Sequence, residues 1–328
     1  MNVQRKRIVT LSLLLIFSFV LSSAVYAEGE KEAVDFDDYP SRKINLVLTN
    51  SPGGGGDIFY RALAQQIEKI TGKPVVVENV NGASGSLAMN ELRKRDADGY
   101  TFMSLAASEA YAIAHGVIPN KLEDLQPIVT IAAGRNALFT LGNRYETYEE
   151  LESYALQNPG ALKIGSTGTY NDNQVFAMSL MGKAGLKGTY IPYESGGMVD
   201  KAIINGDADA AVASVTAVAR FVAAGTHNLL AVGGKERMEL YPDIPTFREL
   251  GIEMDGFDYR GFAAKPGTPQ EAIDAFIGII EQVLEVPEFQ EFLANTGQEP
   301  FLKKGEEFQK LFENDYAFAK SVFEKFGM

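Results

Sequence analysis

The stretch Ile44-Asn45-Leu46-Val47-Leu48-Thr49-Asn50-Ser51-Pro52-Gly53-Gly54-Gly55-Gly56-Asp57 sets a short β-prone run against four consecutive glycines and an aspartate. Beyond it, Ile58, Ala62, Leu63, Ile67 and Ile70 share one face at helical spacing, until Thr71-Gly72-Lys73-Pro74 stops the helix. Val75 to Val77 reads as the next strand. The unit then repeats. Asn81-Gly82-Ala83-Ser84-Gly85-Ser86 is a second glycine-rich loop before a helix carrying Leu87, Ala88 and Leu92, and Asp98-Gly99 turns the chain into a strand from Tyr100 to Leu105. Strand, loop and helix in alternation predict an α/β fold with a parallel sheet and crossover helices.

The pattern continues downstream. Ile128 to Ala132 and Ala137 to Leu141 read as separate strands. Thr147 to Leu156 reads as a helix, with Thr147 as N-cap and Glu150 as its capping-box partner. Ser166-Thr167-Gly168-Thr169-Tyr170-Asn171-Asp172-Asn173, Tyr193-Glu194-Ser195-Gly196-Gly197 and Ser214-Val215-Thr216 each follow a strand and open a helix. Leu229 to Val232 and Phe257 to Ala263 are extended, and helices near Gln270 to Leu284 and Glu306 to Phe323 close the chain. In open α/β sheets, ligands sit at such strand ends. Helix N-termini there offer unpaired N–H groups and a positive dipole end, which suits a carboxylate or a phosphate.

Composition narrows the chemistry. The 328 residues include no cysteine and two histidines, which excludes disulfides, thiolate metal sites, a cysteine nucleophile and a histidine-rich metal centre. Residues 1–27 read as a cleaved signal peptide: Arg5-Lys6-Arg7, an apolar run from Ile8 to Leu21, and a Val25-Tyr26-Ala27 cleavage site. An uncleaved anchor is the alternative, but the run is short for a span of about 20 residues. Residues 28–38 read as a disordered acidic leader. The mature chain then carries 27 basic and 43 acidic residues, a net charge of −16, which disfavours nucleic acid and anionic membranes as partners. An exported chain without cysteine fits a bacterial periplasm or a cell surface.

The remaining motifs admit two readings each. The run Gly53–Gly56 is neither a dinucleotide fingerprint nor a Walker loop. It is either a flexible turn with Asp57 as helix N-cap, or a place where backbone approaches a ligand closely. A serine hydrolase is disfavoured because no G-x-S-x-G elbow is present. Arg135 and Arg260 sit in small or apolar surroundings and need partners, either a protein carboxylate or a ligand carboxylate. Tyr111, Tyr170 and Tyr193 lie in or beside strand-end loops, where rim packing is the alternative to ligand contact.

Several segments together resemble one family. Tyr39-Pro40-Ser41-Arg42-Lys43-Ile44, Ser51 to Asp57, Lys73-Pro74-Val75-Val76-Val77-Glu78-Asn79, Gly82-Ala83-Ser84-Gly85 and Asp98-Gly99-Tyr100-Thr101 appear in the order seen in Bug (TctC-like) receptors of tripartite tricarboxylate transporters. Ile191-Pro192-Tyr193 with Gly196, Gly206-Asp207-Ala208-Asp209, Tyr241 to Thr246 and Lys265 to Pro269 continue the match. The resemblance implies a type II periplasmic-binding-protein fold, two lobes with a ligand cleft and two hinge strands. It places lobe 1 at 39–136 and 259–328 and lobe 2 at 137–258. It implies ligand contacts from Ser51, Gly55, Gly56, Asp57, Ser108 and Glu109 in one lobe. Ser166, Thr167, Thr169, Asn173, Tyr193, Gly196 and Ser214 serve in the other, with Arg135 and Arg260 at the hinges. Arg260 stands where the family usually has an aromatic, and Glu109 where small residues are common. The expectation is a periplasmic monomer without catalysis, cofactor or metal. It binds a small carboxylate, with a di- or tricarboxylate favoured over an acidic amino acid or an aromatic carboxylate. It passes this ligand to the membrane subunits of a transporter, or presents it to a signalling partner.

Overall fold

The computed structural model describes residues 38–327, so the segments assigned as signal peptide and leader lie outside the described residues, apart from Asp38. The first strand, β1 (Ile44–Leu48), is buried at every position. It pairs in parallel with β2 (Val75–Asn79) and β3 (Thr101–Leu105). Between them run helices α1 (Gly55–Thr71) and α2 (Ser86–Lys94), and α3 (Ala107–His115) follows β3. These are the crossovers that the alternating pattern predicts.

The central element is one long strand. β4 runs over 16 residues, Gln126–Leu141, where the sequence suggested two. Ala133-Gly134-Arg135-Asn136 interrupts the apolar run, but the backbone stays extended because partners flank it on both sides. Residues 126–135 pair with β9 (Phe257–Ala264), which also pairs with β3. Residues 136–141 pair instead with β7 (Ala210–Ser214) and β8 (His227–Val232). The change of partners falls at Arg135 and Asn136. Beyond β7 the second sheet continues in parallel through β5 (Leu162–Thr167) to β6 (Gly188–Tyr193). A short strand, β10 (Gln298–Pro300), adds to β4 at residues 132–134.

Helices α4 (Tyr148–Gln157), α5 (Asp172–Lys183), α6 (Gly196–Asn205) and α7 (Val215–Ala223) belong to the second sheet. Helices α8 (Gln270–Leu284), α9 (Pro287–Asn295) and α10 (Glu306–Phe326) follow β9, and α9 was not foreseen. The α1 face also differs from the expectation. Ile58 is 52% exposed, whereas Phe59 and Tyr60 are buried with Leu63 and Ile67. The larger aromatics take the core, and Tyr60 donates its hydroxyl to the Gly261 carbonyl at 2.9 Å, tying α1 to β9. Phe102 of β3 stacks on Phe276 of α8 with ring centroids 3.8 Å apart, closing that core. Among the described residues no helix is long and apolar enough to cross a membrane.

Candidate functional site

The glycine loop is braced from within. The N-cap of α1 is Gly54, and Asp57 is the third helical residue. Its buried carboxylate accepts from the Gly53 N–H (2.9 Å), Arg61 Nε (2.9 Å) and Asn79 Nδ2 (2.8 Å). These bonds, the Arg61 one foremost, hold its pKa down at about 2. Asp57, expected among the ligand contacts, thus spends these acceptor sites on lacing the loop to β2. Gly56 is required sterically, since a Cβ there would lie 2.3 Å from Asn50 Nδ2. Gly55 and Ser51 are exposed, and Ser51 Oγ accepts from Asn81 Nδ2 at 3.1 Å.

A second acid occupies the matching place on α3. Glu109 accepts from the Ala106 N–H (2.9 Å) and from Ser108 Oγ (3.2 Å). It is buried against Gly85, where an added Cβ would meet Glu109 Cγ at 3.0 Å. Burial raises its pKa to about 7 despite these bonds.

The two arginines part company. Arg135 forms a two-pronged ion pair with Glu299, Nε to Oε1 at 2.7 Å and Nη2 to Oε2 at 3.2 Å, and its Nη1 donates to the Glu236 carbonyl. All three nitrogens thus face protein acceptors, the arrangement of the protein-carboxylate alternative. Arg260 donates Nε to Gln298 at 2.7 Å and lies 5.4 Å from the Phe59 ring centroid. Its Nη2 stands 3.8 Å from Asp258 Oδ2.

Five of the expected residues do converge. Ser166, Thr167, Asn173, Gly196 and Ser214 line a cavity of about 290 Å³ at the strand ends of the second sheet. Ser166 donates to the Val212 carbonyl at 2.5 Å, and Thr167 Oγ1 accepts from Asn173 Nδ2 at 3.1 Å. The N-caps Ser195 of α6 and Ser214 of α7 make no side-chain cap. The first amides of a helix have no intrahelical acceptor, and Gly196 and Gly197 at the start of α6 line the cavity, so that end offers donors there. Thr169 is exposed and Tyr193 packs on Gly165, 3.0 Å from where its Cβ would be; neither lines the cavity.

The polar wall also includes Asn136, Asp172, Asp200, Arg220 and Asp258, with Phe139, Val199 and Phe221 among its apolar residues. Burial raises the Asp172 carboxyl, and the charges of Asp258 and Glu109 add to this. The sequence placed Asp172 in a strand-end loop without singling it out. The available signals were the neighbours of the two arginines at the strand changeover, Asn136 beside Arg135 and Asp258 two residues before Arg260. A second cavity of about 480 Å³ shares Asn136 and Asp172 with the first and is walled also by Tyr111, Tyr259 and Asp315. Tyr259 donates to Asp315 at 2.7 Å, and burial raises the Asp315 carboxyl to about 6. Among the described residues no group of acids or histidines is arranged to hold a metal ion.

Comparison with known proteins agrees with this architecture. Residues 59–328 match the family model described as tripartite tricarboxylate transporter family receptor, TctC. A protein of Cupriavidus necator described as "UPF0065 protein in gbd 5'region" is 30% identical over 295 residues, covering 89% of this chain and 90% of its own. A ligand-free TctC solute-binding protein from Polaromonas superposes with a TM-score of 0.76 at 25% identity, over 88% of this chain and 99% of that one. A Rhodopseudomonas palustris protein solved with adipate has the same fold, with a TM-score of 0.74 at 24% identity over 88% and 98% of the two chains. The two-lobed α/β architecture expected from the sequence is the one these proteins share. The chain belongs to the TctC family, whose members are solute-binding receptors and not enzymes.

Proposed function

We propose that this chain is an exported receptor that captures a small carboxylate and delivers it to the membrane subunits of a tripartite transporter. The observation that carries the reading is the cavity lined by Gly196 and Gly197 at the uncapped N-terminus of α6, beside Ser166, Thr167, Ser214 and the guanidinium-bearing Arg220. Such ends favour an anion by dipole and by free N–H donors. We assign residues 39–136 and 259–328 to one lobe and 137–258 to the other, with β4 and β9 as hinges. Ser51, Gly55, Gly56 and Ser108 then belong to the opposing lobe and complete the grip on closure. Closure follows binding only if the ligand favours the closed state. The preference for a di- or tricarboxylate rested on two free guanidinium groups. With Arg135 held by Glu299, the proposed class is a small carboxylate without a required second acid.

A thermal-shift screen of the purified protein against small carboxylates and their uncharged amides tests this, because a ligand of the native state raises apparent stability. Carboxylates are expected to raise the melting temperature and their amides to leave it unchanged. Stabilisation by uncharged solutes alone contradicts the reading.

A further inference from the structure

Between β5 and α5 the chain turns through Gly168-Thr169-Tyr170-Asn171, and Thr167 and Asn173 on either side of this loop line the cavity. Tyr170 takes φ 57°, in the left-handed region. A bulky residue is strained there and persists only where its surroundings hold it. The base of the loop is held within the second sheet. The Gly168 N–H donates to the Tyr193 carbonyl at 2.9 Å, and the Tyr190 hydroxyl donates to the Gly168 carbonyl at 2.7 Å. The tip is held from outside that sheet. The Tyr170 ring lies on the His115 imidazole with centroids 3.7 Å apart. Phe323 stands edge-on to both, 5.1 Å from His115 and 6.3 Å from Tyr170. His115 ends α3 and Phe323 lies on α10, both in the lobe opposite the loop under the assignment above. His115 Nδ1 is buried with no hydrogen-bond partner, so packing, and not a bond at that nitrogen, places the ring.

Tyr170 does not line the cavity, so any part it plays there runs through the loop. We propose that Tyr170, seated on His115 and Phe323, is a positioning residue for the solute site. It fixes the turn that aims Thr167 and Asn173 into the cavity, and it joins that turn to the helix that carries Ser108 and Glu109. This rests on the cavity being the solute site. A loop already fixed in its binding shape loses no freedom on association, so affinity rises without any contact between Tyr170 and the solute. Glycine at this position takes the same turn without strain. The ring contact is therefore what a tyrosine adds there. Ring pairs of this kind attract beyond the area they bury, which offsets the strain of the turn.

Titration calorimetry tests this with whichever of succinate, malate and adipate binds the wild-type protein most tightly. Tyr170→Gly keeps the turn and removes the ring. It is expected to lower the affinity about ten-fold while the melting temperature stays within a few degrees of wild type. Tyr170→Phe keeps the ring and is expected to hold the affinity within about three-fold of wild type. His115→Ala empties the other side of the contact and is expected to reproduce the loss. Tyr170→Gly combined with His115→Ala is expected to lose no more than either alone, as two partners in one contact do. Wild-type affinity in Tyr170→Gly overturns the proposal. So do losses that add in the double variant, and a loss as large in Tyr170→Phe as in Tyr170→Gly, which makes the hydroxyl a solute contact. A melting temperature lowered by more than about ten degrees in both single variants overturns it too, because the contact is then general packing. If the wild-type protein binds neither these acids nor any other carboxylate, the receptor reading fails and the positioning role with it; every other outcome leaves that reading standing.

Discussion

Asp57 and Glu109 occupy the same position, third in the helix, on α1 and α3, and each reaches back to an N–H of the preceding loop. Their environments push them apart. Asp57 has Arg61 and Asn79 and falls to about 2; Glu109 has no cation and rises to about 7. A carboxyl whose folded pKa lies above its unfolded value binds more protons when folded. Its favourable contribution is complete below the unfolded pKa, near 4.5, and is lost as pH rises through about 7. At about 1.4 kcal/mol per unit this is up to roughly 3 kcal/mol. Denaturant midpoints are therefore expected to fall between pH 5 and pH 8, and Glu109→Gln is expected to flatten that fall. An unchanged slope in the variant contradicts the assignment. Arg135 makes a complementary case, because its protein partner was one of two readings open at the sequence level and Glu299 lies 164 positions away. No local pattern reveals such a pair. Arg135→Lys loses the forked geometry and is expected to cost about 1 kcal/mol in denaturant unfolding. Ligand affinity should stay within about three-fold of wild type by calorimetry; a large loss returns Arg135 to the ligand.

At the scale of elements, the strand–loop–helix order was legible because glycine and polar clusters punctuate apolar runs. What escaped were features set by tertiary partners. β4 reads as two strands because Gly134-Arg135-Asn136 carries no apolar alternation, yet β9, β7 and β8 hold it as one. The capping of α4 also shifts: Thr147 accepts from the Glu150 N–H, but Glu150 accepts from Glu146 rather than from Thr147. Five of the residues singled out in the sequence line one cavity because they follow strand ends. Asn136, Asp172 and Asp258 join them on the cavity wall through pairing that is long-range, which no local pattern shows. The uncapped helix ends give a sharp test. Gly196 is the first residue of α6, and Ser195 before it is extended at φ −153° and ψ 157°, a conformation that a following proline accepts. Gly196→Pro removes one N–H donor but no intrahelical bond. It is expected to leave the melting temperature within a few degrees and to weaken carboxylate binding at least ten-fold. Intact affinity in a folded variant excludes that amide from the site.

For the whole molecule, the net charge of −13 opposes the proposed anionic solute. Salt screens such a field beyond about 8 Å, so capture depends on donors inside the cavity. The missing cysteines and scarce histidines fit a receptor that performs no chemistry. The central claim is that solute binds where the second sheet's strand ends meet the β4 changeover. Hydrogen–deuterium exchange, with and without a saturating carboxylate from the thermal screen, tests it most directly. The account predicts slowed exchange at amides 166–173, 196–199 and 214–218, with little change on the face where Arg135 meets Glu236 and Glu299. Protection confined to other segments, in a protein that the carboxylate demonstrably binds, would contradict it.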